Sequence, residues 1–161
     1  MYKKALEIDE TTFASRFHLG GMYHMNNDFL EALKCYTGVL KDRPNDKIIY
    51  IKRGKVYQDM GNHRFAIEDN FNKSIELEPT IEAYFYRGIS RMKCRDYDKA
   101  IEDFMKAKDD FSSEEVEKYP GIYDGLGQCY LARTEFDRAL DNFDTAITRD
   151  PTNIEFYINR A

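Results

Sequence analysis

Histidine and cysteine, the residue types that most often bind metal ions or act as nucleophiles, are few in this sequence. There are three of each, namely His18, His24, His63, Cys35, Cys94 and Cys129. On one helix His18 and His24 would point about 120° apart, so they do not suit a shared metal ion. An odd number of cysteines without clustered spacing argues against a disulfide framework or a zinc site and favours a reducing, intracellular compartment. We therefore expect no metal and no cofactor.

Other motifs that perform catalysis do not emerge from the sequence. It shows no Ser-His-Asp or Cys-His constellation, no phosphate-binding loop and no paired acid motif. Asn72-Lys73-Ser74 matches a glycosylation acceptor, but it falls inside a predicted helix, and we interpret the match as accidental. The sequence predicts a protein that is not an enzyme.

The overall composition is that of a folded, acidic chain. Of the 161 residues, 42% are apolar, which is ample for a packed core, and the net charge is −5. Phosphate contacts need a basic face, so nucleic acid is not an expected partner. Apolar runs such as residues 48–51 are too short to insert into a bilayer. We expect a cytoplasmic protein, and nothing in the sequence selects among the places it could occupy there, such as the cytoskeleton or a cilium.

Small residues recur along the chain with a fixed period. Gly20, Gly54 and Gly88 are 34 residues apart, and Gly127 follows after 39. An alanine lies twelve residues after each of these glycines, at Ala32, Ala66, Ala100 and Ala139. Two series that share one phase indicate an internal repeat.

Residues in phase with these series identify the repeat. In the last full unit they are Tyr123, Leu126, Gly127, Tyr130, Ala139, Phe143, Ala146 and Pro151, which resembles the tetratricopeptide repeat at all eight signature places. The first repeat departs only at Arg16, and the third repeat departs at Arg87 and Arg91. In the second repeat Arg53 does not fit. Its later signature residues, Phe71, Ser74 and Pro79, each arrive one residue late, which indicates a local one-residue shift in its second helix.

The resemblance implies an all-α fold, a right-handed α-solenoid superhelix of stacked antiparallel helix pairs. By phase, the full units run over 13–46, 47–80, 81–119 and 120–153. Their first helices are expected at 13–26, 47–60, 81–94 and 120–133, and their second helices at 28–41, 63–77, 97–110 and 135–149. Residues 1–12 look like the closing helix of a preceding repeat, and residues 154–161 like the start of a further one. This favours a segment of a longer array, although a short protein that uses its first residues as a cap is the alternative.

The first helices of such an array line a concave groove, where members of the family often bind peptides. The residues expected there are Phe17, His24, Ile51, Lys52, Lys55, Phe85, Tyr86, Ile89 and Lys93. We interpret this largely apolar, aromatic set as a partner-binding groove, with Phe85 and Tyr86 as central anchors. The alternative is that some of these side chains pack inside the protein.

Chaperone-binding members of the family hold a C-terminal carboxylate with lysine, asparagine and arginine at set repeat positions. In the first window of this chain those positions hold Phe17, Gly21, Lys52, Glu82 and Tyr86, and the other windows match no better. The resemblance therefore does not extend to a carboxylate clamp.

One irregular segment, residues 108–120, makes the third unit five residues longer than the others. Ser112 and Glu115 have the spacing of a capping box, and Pro120 suits the first turn of the following helix. We expect a longer second helix followed by a short capped turn. A docking point or a phosphorylation site at Ser112 is the alternative role.

The function that this pattern favours is a non-enzymatic scaffold for protein–protein interaction, a segment of a longer solenoid that organises a multiprotein assembly. Its partners would be peptide segments or folded subunits, and its repeat ends would join a larger assembly. The alternative is a self-contained adaptor that binds one linear peptide in its groove, as in chaperone or sorting cofactors.

Overall fold

The computed structural model describes the backbone of residues 2–161 and the side chains of residues 12–161. Every regular element in that part of the chain is helical. The elements are α1 (Tyr2–Met25), α2 (Phe29–Asp42), α3 (Lys47–Asp59), α4 (His63–Ala66), a π-helical turn (Ile67–Phe71), α5 (Asn72–Leu77), α6 (Ile81–Lys93), α7 (Tyr97–Asp109), α8 (Ser113–Val116), α9 (Gly121–Ala132), α10 (Phe136–Arg149) and α11 (Ile154–Arg160). They form two compact units, Met1–Glu78 and Pro79–Ala161. This is the all-α fold that the sequence predicts.

In the first unit, α1 packs against α2, and α2 packs against α3. Ala32, Tyr36, Val39, Leu40, Ile49 and Val56 form its buried apolar cluster. The predicted boundary between residues 1–12 and the first repeat is wrong, because α1 runs unbroken from Tyr2 to Met25. Glu10 stands where a proline would end a helix, and no glycine or proline interrupts residues 2–19. The predicted packing of residues 1–11 lies outside the described side chains.

The one-residue shift predicted in the second repeat is confirmed as the π-helical turn Ile67–Phe71, where the Asn72 N–H bonds to the Ile67 carbonyl. A π-turn inserts one residue into a helix. It brings Phe71, which is 0% exposed, against Gly54, where an added Cβ would lie 2.7 Å from the ring. In the other repeats Tyr36, Phe104 and Phe143 lie in the same way against Gly20, Gly88 and Gly127. The turn therefore restores the packing that the late residue would otherwise lose.

In the second unit, α6 packs against α7, α9 against α10, and α7 also contacts α9. The irregular segment does not lengthen α7, which ends at Asp109 after 13 residues, so that prediction is wrong. The extra residues instead form the separate helix α8, whose predicted Ser112–Glu115 capping box is present. Val116 on α8 is 3% exposed, so its burial explains why these residues fold back as a helix of their own.

The turn inside each repeat has one residue with a left-handed backbone. These residues are Asn27, Gly61, Arg95 and Thr134, with φ between 62° and 76°. They follow the same 34- and 39-residue spacing as the packed glycines and fall at the predicted breaks between paired helices. No helix in the described part of the chain is long and apolar enough to cross a membrane.

Candidate functional site

Four of the predicted groove residues lie around one cleft in the first unit. Phe17 and His24 reach it from α1, and Lys52 and Lys55 reach it from α3. The cleft has a volume of about 740 Å³, and its other lining residues are His18, Gly21, Met22, Met25, Asn27, Tyr36 and Asp59. These four side chains therefore share one cleft between α1 and α3, and its role in binding a partner stays a prediction.

The walls of this cleft are held by aromatic contacts and by a hydrogen bond. The Phe17 ring stacks on Phe13 at 6.3 Å between centroids and tilts against Tyr36 at 6.1 Å. On the opposite side, His24 Nε2 lies 2.7 Å from Asp59 Oδ2. These contacts tie α1 to α2 and to α3, so both walls of the cleft are fixed by side chains.

Ile51 is a correction to the predicted groove. Its side chain is 2% exposed, and it belongs to the buried core instead of a contact surface. Ile51 has no polar group to keep it in water, so burial of its whole side chain is favourable by roughly 1.5–3 kcal/mol. The helical face that the sequence predicts as the groove lies next to the buried core. Ile51 lies at the edge of this face that packs into the core.

In the second unit the predicted residues lie along α6. Phe85 packs against Tyr119 at 5.5 Å and Phe104 at 6.3 Å between ring centroids, and an added Cβ at Gly121 would lie 3.1 Å from its ring. Phe85 therefore helps to hold the segment that follows α8. Tyr86, 5.1 Å from Phe85, is half-buried.

Ile89 and Lys93 continue the same face of α6 by one and two turns. Ile89 is half-buried and Lys93 is exposed. The accessible part of this face is thus formed by Tyr86, Ile89 and Lys93, and we call it the α6 face.

The arginines that depart from the repeat pattern have structural partners that sequence reasoning missed. Asp103 is 1% exposed and pairs with Arg87 at 2.6 Å and with Arg91 at 2.8 Å. In the second repeat, Arg53 holds the place that Arg87 has in the third. Arg53 Nε donates to Asn70 Oδ1 at 2.7 Å, and Asn70 Nδ2 in turn donates to the Phe65 carbonyl.

The sequence did contain a signal for these pairs. Arg53 and Arg87 directly precede packed glycines, and their partners Asn70 and Asp103 directly precede the aromatic residues that pack on those glycines. Burial lowers the pKa of Arg91, although Asp103 opposes this effect.

A second polar cluster that was not predicted lies between α9 and α11. Asp124 is 7% exposed and accepts hydrogen bonds from Asn159 Nδ2 at 3.0 Å and from Gln128 Nε2 at 2.7 Å. Burial raises the pKa of the Asp124 carboxyl, and the two amide donors oppose that shift. The cluster ties the end of α11 to α9.

Histidine, cysteine and acidic side chains are scattered over the part of the chain that the structure describes. Among the described residues, no three histidine, cysteine or acidic side chains are placed to bind a metal ion. Burial raises the pKa of the Cys129 thiol to about 12 and also raises that of Cys35, which leaves both thiols protonated at neutral pH.

Comparisons with known proteins point to one kind of repeat. The chain is 26% identical over 160 residues to human Tetratricopeptide repeat protein 6, covering 99% of this chain and 30% of that protein. It is 29% identical over 133 residues to Hsp70-Hsp90 organizing protein 3 of Arabidopsis thaliana, covering 79% and 23%. The chain therefore spans less than a third of the length of either relative. No family model matches it.

A solved structure shows that the fold is similar as well. The structure of the MamA protein superimposes with a TM-score of 0.77 at 27% identity, over 92% of this chain and 79% of that one. The repeat period, the in-phase glycines and aromatics and the helix pairs that they pack are all accounted for by this likeness. The chain is similar in sequence and in fold to tetratricopeptide-repeat proteins.

Proposed function

We propose that this chain is a non-catalytic scaffold for protein–protein interaction, a segment of a longer solenoid within a multiprotein assembly. The observation that carries the proposal is the apolar face of α11. Ile154, Tyr157 and Ile158 occur at helical spacing on this face and are 73%, 46% and 68% exposed. An apolar face of this kind is typical of a surface that another protein element covers.

The neighbouring helix α10 repeats the same feature. Phe136 and Leu140 are 60% and 45% exposed, whereas Tyr97 and Ile101, which hold the equivalent places on α7, are half-buried in the same unit. The two exposed residues stand at positions that a stacked neighbour would cover. The relatives support a longer array, because this chain aligns with less than a third of each.

The second candidate is an adaptor that binds a linear peptide on its first helices. The cleft beside Phe17 and the accessible α6 face favour it. The Arabidopsis relative is named an Hsp70-Hsp90 organizing protein, a name that supports protein binding. Both candidates bind proteins, and they differ in the surface that makes the contact.

The experiment compares two variants of the tagged protein expressed in its own cells. The first, Ile154→Arg with Ile158→Arg, places charges on the α11 face, and the second, Tyr86→Ala with Lys93→Ala, truncates the α6 face. If the chain is a scaffold, the α11 variant should shift the native complex to a lower mass on size-exclusion chromatography. Its free energy of unfolding should change by less than about 0.5 kcal/mol per residue, because both side chains are exposed.

Glu102→Ala, at an exposed position of α7, is the matched surface control and should leave the complex unchanged. If the α11 variant keeps the full native mass while the α6 variant releases a partner, the scaffold is wrong and the adaptor is correct. If neither variant changes the complex, both assignments fail.

A further inference from the structure

The floor of the cleft in the first unit contains a hydroxyl group that the fold does not use. Tyr36 is 2% exposed, and its ring packs on Gly20, where an added Cβ would lie 2.9 Å from Cε1. None of the residues whose side chains the structure describes hydrogen-bonds to the Tyr36 hydroxyl. The hydroxyl oxygen is not among the buried side-chain atoms that lack a partner, so it reaches the open space of the cleft and can hydrogen-bond to a ligand there.

The same place in the other three repeats shows that packing does not require this hydroxyl. Phe71, Phe104 and Phe143 lie against their glycines with the same close approach and carry no oxygen. The hydroxyl of Tyr36 is therefore an addition to the repeat at one position, and it lies in the lining of the cleft.

Gly21 keeps this hydroxyl open to the cleft. A Cβ at Gly21 would meet no described side-chain atom closer than the Tyr36 hydroxyl oxygen, at 3.7 Å. The corresponding places in the other repeats hold Lys55, Ile89 and Gln128, whose side chains would cover such a group. Gly21 and Tyr36 together thus place an uncovered hydrogen-bond donor in the lining of the cleft.

The charges around this hydroxyl group favour an anionic group. Lys52 and Lys55 line the cleft together with one carboxylate, that of Asp59, so lysine side chains outnumber acidic ones in its lining. Burial raises the pKa of the Tyr36 hydroxyl, which therefore stays protonated and able to donate. A donor beside positive charges suits a carboxylate, since hydrogen bonds to charged acceptors are the stronger ones.

An apolar ridge borders the same cleft. Met22 and Met25, which are 67% and 87% exposed, line this cleft and also an adjacent one of about 460 Å³ with Leu19 and Tyr23. Methionine side chains adapt to ligands of different shape. A peptide that places an acidic side chain on Tyr36 would lay a neighbouring apolar side chain on these methionines.

We propose that the cleft of the first unit binds an internal segment of a partner protein by an aspartate or glutamate side chain, which accepts a hydrogen bond from Tyr36 while an adjacent apolar side chain packs on Met22 and Met25. The proposal rests on the protein-binding function proposed above and names the chemistry of one of its ligands.

The probe is a library of decapeptides with acetylated and amidated ends, so that no terminal carboxylate is present. One position at a time is fixed as Glu, Gln or Lys, and binding to the 161-residue chain is measured by fluorescence anisotropy. We expect Glu to be preferred over Gln and Lys beside an apolar residue. The Tyr36→Phe variant should bind the selected peptide about tenfold or more weakly, because a hydrogen bond to a charged acceptor is lost.

Tyr36→Phe should fold normally, since phenylalanine holds the same place in three repeats, and an unchanged thermal melting curve checks this. Gly21→Leu tests access to the hydroxyl group without removing it and should also weaken binding. Equal binding of the Glu and Gln peptides, no binding of any peptide, or an unchanged affinity of Tyr36→Phe would overturn the proposal. If peptides bind but depend on Tyr86 and Lys93 instead of Tyr36, protein binding stands and the cleft assignment alone fails.

Discussion

Asp103→Ala is expected to lower the free energy of unfolding by about 3–5 kcal/mol, the usual cost of removing one partner from a buried ion pair. The Asp103 carboxylate is 1% exposed and faces both Arg87 and Arg91, whose side chains are only 12% and 16% exposed. Its removal leaves two guanidinium groups without their counter-charge in a poorly solvated place. Urea denaturation followed by circular dichroism measures the loss.

Two controls separate the ion pair from simple loss of volume. Asp103→Asn keeps an acceptor and reproduces the Arg53–Asn70 pair of the first unit, so it should cost clearly less than alanine. In a background with Arg87→Leu and Arg91→Tyr, the residues that the fourth repeat has at these places, Asp103→Ala should cost little. A loss of stability that is equal with and without the arginines would contradict the assignment.

Gly54→Leu is expected to destabilise the first unit by about 1–3 kcal/mol or more, because it overpacks a closed contact. Even a Cβ at Gly54 would lie 2.7 Å from Phe71 Cε1 and 3.1 Å from Asn70 Cβ. Phe71 is 0% exposed and is held by the π-helical turn, so neither ring nor backbone has free space to move. The midpoint of thermal unfolding measures the effect.

Gly21→Leu is the matched control, since it is also a glycine-to-leucine change within a helix of the same unit. A Cβ there meets only ordinary van der Waals contact at 3.7 Å, and leucine has a higher helix propensity than glycine. We therefore expect Gly21→Leu to leave stability unchanged or raise it slightly. Equal destabilisation by both substitutions would mean that close packing at Gly54 is not the cause.

The sequence predicted the fold well because the packed positions repeat. A glycine and an aromatic residue must meet in each repeat, so their spacing gives the helix pairs and even the extra residue before Phe71. The separate closing helix at residues 1–12 was wrong for a local reason. The repeat phase places a turn there, but Glu10 has no tendency to break a helix. The predicted lengthening of α7 is wrong, because the extra residues form the separate helix α8, on which Val116 is buried.

The candidate site was predicted less completely, since the repeat period and the helical face do not show how deeply a side chain is buried. Phe17 and Lys55 did reach a cleft, whereas Ile51 on a comparable face is buried. The Arg87–Asp103 pair joins residues 16 apart on different helices, and it was missed because Arg87 was treated only as a departure from the repeat pattern. Tyr36 was not among the predicted groove residues, because the sequence does not show that Gly21 leaves its hydroxyl group uncovered.

Photo-crosslinking tests the central claim, that another protein element covers the apolar face of α11, most directly. A benzoylphenylalanine placed at Tyr157 on α11, which is 46% exposed, and separately at Glu102 on α7, is activated in cells that express the protein. The crosslinked products are identified by mass spectrometry. The account predicts discrete crosslinked products from position 157 and none from position 102. Crosslinks from position 102 alone would contradict it and move the contact surface to the second helices.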